Sequence, residues 1–170
     1  MYNALNIANY FLSLDDKKEY FNKNLVDLNG KKFYEGNARL NKIMHLAQNI
    51  YLAINDDKLI SDDFYAYRNG AVVLPVQEGY VRLIDGKMNI PEISLPDEIK
   101  AFLHKIFLIF ADAPIEELID IDHEDPEWKR NHSDERTCKS EQKMDALAYV
   151  SDYKSRYKDI ITLMNKMEIE

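Results

Sequence analysis

Apolar residues along this chain recur mostly at steps of three and four, the spacing that predicts helices with one buried face. Asn3 to Leu14 reads as a first helix, with Leu5, Ala8, Tyr10 and Leu12 apolar and Asp15–Asp16 at its end. Lys17 to Leu28 reads as a second, stopped by Asn29–Gly30. Asn37 to Asn55 carries the clearest period, through Leu40, Ile43, Met44, Ala47, Ile50, Tyr51 and Ile54, with Asn37 as its expected N-cap. Between Asp63 and Gly79 the pattern is mixed. Phe64, Tyr65 and Tyr67 favour a short extended piece, Asn69–Gly70 punctuates it, and Val72 to Val76 suits strand or helix equally. Asp85–Gly86, between Tyr80–Ile84 and Lys87–Ile93, is a hairpin signal. Pro96 to Asp112 predicts a helix with a wide apolar face of Ile99, Phe102, Leu103, Ile106, Phe107 and Phe110. Pro114 opens a shorter helix, and Asp125–Pro126 supplies a cap and first residue for a turn carrying Trp128. After a polar break from Asn131 to Ser140, Ser140 to Met167 reads as one long C-terminal helix. The expected fold is mainly α with a short β-hairpin element near residues 63–93, an α+β chain. Residues 1–131 form a single compact domain, and residues 132–170 form a helical extension packed on it.

Composition narrows the class. The chain has 170 residues, and at 46% hydrophobic content it can bury a core of its own. The lone cysteine, Cys138, can form neither an internal disulfide nor a four-cysteine zinc site, which fits a reducing, cytoplasmic setting. Asn3, Asn6 and Asn9 interrupt the first apolar run, so it does not read as a secretion signal. No apolar run reaches the ~18 residues that cross a membrane. A net charge of −8 disfavours direct nucleic-acid binding and suits a protein partner.

Candidate chemistry is sparse. The densest ligand set is Asp120, Asp122, His123, Glu124 and Asp125, and its first four members open the alternative of a metal-dependent enzyme, although the spacing matches neither an EF-hand nor an HExxH helix. No nucleophile elbow and no glycine-rich phosphate loop is present, and the spacing implies no cofactor. His45 reads as a packed or half-exposed side chain. Tyr149, Tyr153 and Tyr157 recur at four-residue steps and share one helical face. That face is the expected partner-binding surface, with packing inside the chain as the equal alternative.

Three segments in order resemble the Panacea domain, the SocA-like antitoxin family also labelled phage-associated protein. Leu40 to Gln48 is similar to the family's Leu-x-Lys-Leu-Leu-Tyr-x-Ala-Gln helix. Phe64 to Val73 is similar to its Ala-aromatic-x-x-Gly-Pro-Val-Val segment. Leu118 to Trp128 is similar to its Leu-x-x-x-Thr-His run followed by Pro and Trp. The signature positions are Leu40, Lys42, Gly70, Val72, His123 and Trp128, structural or partner-binding in role. The sequence departs from the pattern at His45, where an aromatic is commoner, at Ala71 in place of proline, at Asp122 in place of threonine, and in a longer stretch from Asp15 to Ala38. The resemblance implies an antitoxin-like protein that binds a partner toxin and neutralises it or presents it for degradation. The alternative in the same context is a phage or prophage accessory protein that inhibits a host enzyme such as a defence nuclease.

Overall fold

The structure is a computed structural model that describes residues 1–28, 30–132 and 143–169. Asn29, Cys138 and the Ser140 start expected for the last helix lie outside these residues.

The first helix, α1 (Ala4–Ser13), is capped by Asn3, whose side chain accepts the Asn6 N–H. The expected second helix does not form. The Asp15 carboxylate takes the backbone N–H groups of Glu19, Tyr20 and Phe21 at 2.8–3.0 Å. A short side chain that captures nearby N–H groups competes with the helical ladder. The chain then runs into a hairpin, β1 (Leu25–Leu28) against β2 (Lys31–Tyr34), whose first strand falls where the sequence pattern predicts the end of that second helix.

The central element is α2 (Glu35–Asn55). It begins two residues before the expected Asn37 cap, and Asn37 lies inside it. Helices α1, α3, α4, α5 and α7 and both hairpins pack on it. The second hairpin, β3 (Phe64–Tyr67) with β4 (Gly70–Val73), falls where the aromatic run predicted an extended piece. Its strand β4 leads directly into α3 (Leu74–Ile84).

Asp85–Gly86 therefore ends a helix and turns no hairpin. Gly86 has φ +69°, and the Lys87 N–H reaches back to the Arg82 carbonyl at 2.8 Å, a Schellman ending. A glycine at positive φ serves a hairpin turn and a helix end equally well, and here Val76, Tyr80 and Leu83 supply a buried helical face.

Helices α4 (Asp97–Phe110), α5 (Ile115–His123) and α6 (Pro126–Asn131) follow, each started by a proline at or beside its first residue. The expected long C-terminal helix is two short ones, α7 (Val150–Arg156) and α8 (Lys158–Lys166), broken at Tyr157. Upstream, the Met144 N–H pairs with the Phe64 carbonyl at 2.8 Å and the Asp145 N–H with Glu127 Oε1 at 2.8 Å. These bonds draw residues 143–149 alongside β3 and α6 and out of helical geometry. The core is one cluster of side chains from α1 to α8, including Phe11, Ile43, Leu103, Leu118 and Tyr153. No helix among the described residues is long and apolar enough to cross a membrane.

Candidate functional site

Helix α2 is buried on more than its apolar side. Lys42, His45 and Asn49 lie at steps of three and four on a second face that is also shut off from solvent. Opposite this stripe stand Asp122 near the end of α5, Asp125 at the cap of α6, and Tyr153 on α7.

His45 sits between the two carboxylates. Its Nδ1 is 2.5 Å from Asp122 Oδ1, and its Nε2 is 3.2 Å from Asp125 Oδ2. Asp122 Oδ2 accepts the Ala71 N–H at 2.6 Å and lies 3.8 Å from Lys42 Nζ. Lys42 in turn donates to the Ala71 carbonyl at 3.0 Å. Asp125 Oδ1 accepts both the Glu127 N–H, as the cap of α6, and the Tyr153 hydroxyl at 2.8 Å. Asn49 Nδ2 donates to Asp125 Oδ2 at 3.3 Å.

Two cations thus answer two carboxylates. Burial works against charge on His45, but Asp122 and Asp125 outweigh it and hold the imidazole pKa above its usual value. Burial likewise opposes charge on Asp122, and His45, Lys42 and the Ala71 N–H together hold its carboxyl below the usual range. Burial lowers the Lys42 pKa, and Asp122 offsets part of that. Burial, and then the Asp125 charge, raises the Tyr153 hydroxyl far out of the working range, so it acts as a donor.

The donor atoms of His45, Asp122 and Asp125 all lie within 4.8 Å of one another. The two carboxylates, however, face opposite nitrogens of one ring. A cation on either nitrogen would leave the carboxylate at the other beyond its coordination sphere. The cavity against His45, Asn49, Glu127 and Tyr153 measures about 10 Å³, the lower limit for one water. The donor set fits an internally neutralised ion cluster better than a metal centre.

The ligand set expected from sequence does not converge. Asp120 and Glu124 are exposed, with Glu124 paired to Lys129 at 3.1 Å. Of the five, Asp122 and Asp125 turn inward, to opposite nitrogens of His45. His123 and Trp128 instead grip the turn between β3 and β4. His123 Nε2–H donates to the Arg68 carbonyl at 3.0 Å, and the Trp128 indole N–H to the Tyr67 carbonyl at 2.8 Å. The Trp128 ring stacks between His123 and His132, 4.2 Å from each.

Leu40 and Val72 are core residues, and Gly70 lies over Lys42 and Asp122. Tyr153 and Tyr157 are 1% and 6% exposed, packed against α2, and Tyr149 is half-buried. The tyrosine face expected to meet a partner therefore turns into the chain's own core.

The sequence reading gives Asn49 no role, takes His45 only as a packed or half-exposed side chain, and names Asp125 as a helix cap and a member of the acidic run without pairing it to His45. The signal was present in α2, where Asn41, Lys42, His45, Gln48 and Asn49 repeat at helical spacing with amides in place of the usual acid–base pairs. No family model, no curated protein and no solved structure matches the chain.

Proposed function

We propose that the protein is an antitoxin-type binding protein. It docks on a partner toxin and blocks it, or holds it for degradation. The observation that supports this reading concerns the three single-residue departures from the Panacea pattern. His45, Ala71 and Asp122 are far apart in sequence, yet they lie in one hydrogen-bonded chain. Ala71 N–H donates to Asp122 Oδ2, and Asp122 Oδ1 meets His45 Nδ1. A proline at 71 has no N–H to give, and a threonine at 122 has no charge to answer an imidazolium. The departures complement one another, as in a shared framework rebuilt at one polar cluster.

The same cluster weighs towards binding over catalysis. A general base must reach the proton of its substrate. His45 is 3% exposed, with a carboxylate at each ring nitrogen.

The test is a tagged pull-down from the native host, with mass spectrometry of what co-purifies, followed by co-expression. The expected result is one stoichiometric small protein that is toxic when expressed alone and harmless alongside this chain. A partner harmless on its own, or no partner, would overturn the reading.

A further inference from the structure

A cleft opens between the two hairpins, over the first half of α2, with a volume of about 260 Å³. Its chemistry runs against that of the chain. The protein carries a net charge of −8, yet the cleft is lined by Lys31, Arg68 and Lys42 and by no carboxylate. Lys42 at the floor is occupied by the Ala71 carbonyl and Asp122. Lys31 and Arg68 are exposed, and neither forms an ion pair among the described residues. The rings of Phe33, Tyr34 and Tyr67 line the space between.

The cationic rim is held in place. Arg68 lies in the tight β3–β4 turn, where the His123 ring donates to its carbonyl and Trp128 to that of Tyr67. Lys31 opens β2, in register with Leu28. Pockets for organic ligands are mostly apolar, with a few placed polar groups, and run ~300–1,000 Å³. This one lies just below that range, so its occupant is small.

We propose that this cleft binds a small molecule in which a flat ring carries a negative group, a phosphate or a carboxylate. The ring lies among Phe33, Tyr34 and Tyr67, where aromatic contact favours it. The anion sits between Lys31 and Arg68, and the guanidinium offers it a paired set of donors. Gln77, also in the lining, has a side-chain N–H₂ that donates to nothing among the described residues and supplies a neutral donor. This site is separate from the buried His45 cluster, and the proposal does not depend on the antitoxin reading.

The experiment is calorimetric titration of the full chain at low salt. The probes are the four ribonucleoside 5′-monophosphates and 4-hydroxybenzoate, with adenosine and inorganic phosphate as ring-only and anion-only controls. Saturable binding of a nucleotide or of the aromatic carboxylate, at least ten-fold tighter than either control, is the expected result and identifies which anion is read. Arg68→Glu and Lys31→Glu, both at exposed side chains, each weaken it at least ten-fold, while Lys158→Glu on α8 leaves it unchanged. No saturable binding of any probe at millimolar concentration would overturn the proposal. So would binding that both rim variants leave intact.

Discussion

At Gly70 the lack of a side chain is a structural requirement. A Cβ there would stand 2.5 Å from Asp122 Oδ2 and 2.7 Å from Lys42 Cε, both deep in the ion cluster, and the residue has φ +112°. Neither neighbour can yield without breaking a hydrogen bond to Ala71. Overpacking costs ~1–3 kcal/mol, and a strained backbone conformation adds ~1–3 kcal/mol. Gly70→Ala is therefore expected to lose about 3 kcal/mol or more in urea unfolding. Gly30 provides the contrast, with φ +80° and nothing within 4 Å of an added Cβ. Gly30→Ala should cost only the backbone share, ~1–2 kcal/mol. Equal losses at the two positions would mean that the space around Gly70 is not filled as described.

Among the elements, those that bury one apolar face were legible in the sequence. Helix α4 follows the face from Ile99 to Phe110, and α6 starts at the Asp125–Pro126 signal. The misread elements are those that side chains draw out of helical geometry or that share a turn residue between two uses. Asp15 holds three N–H groups that a helix would have needed, and Gly86 closes a helix with the φ of a hairpin. The site was half legible. Lys42, Gly70, His123 and Trp128 are singled out in the sequence, but the apolar stripe of α2 gives His45 no partner and Asn49 no role. A helix buried on all sides violates the single-stripe assumption, and only the distant Asp122 and Asp125 make that burial tolerable. The three single-residue departures from the Panacea pattern give an element-level test. Ala71→Pro removes the N–H that Asp122 needs and leaves a buried charged acceptor short of a donor, a loss of about 1–3 kcal/mol. In the triple variant His45→Tyr, Ala71→Pro, Asp122→Thr the need for that N–H is gone. Denaturant unfolding should show it more stable than the sum of the single losses, with a coupling of ~0.5–3 kcal/mol. Strict additivity would mean that the three positions do not act as a unit.

For the whole molecule, the ion cluster fastens α2, β4, α5, α6 and α7 together, so its titration bears on global stability. The His45 pKa is raised above its ordinary 6.5. Its stabilising share is therefore full below pH 6.5 and is lost as pH rises through the folded value. The Asp122 pKa is held below 3.8, so its share is present above pH 3.8 and is lost as pH falls through the folded value. The Lys42 pKa is lowered, so its burial costs stability while it is charged, a cost that fades only towards alkaline pH. Thermal melts should accordingly show Tm declining as pH climbs above 6.5, and His45→Gln should flatten that decline. A Tm that stays level over this range in the parent protein would remove the charged imidazole from the account. The cluster also bears on synthesis, which delivers the chain from its N-terminus at ~5–20 residues per second. Asp122 follows His45 by 77 residues, and Tyr153 follows Asp125 by a further 28. The helix at the centre of the fold thus leaves the ribosome well before the residues that answer its buried charges. Until the stretch that carries Asp122 and Asp125 emerges, the carboxylates that answer Lys42 and His45 are still to come, and the central helix waits for its own carboxyl half.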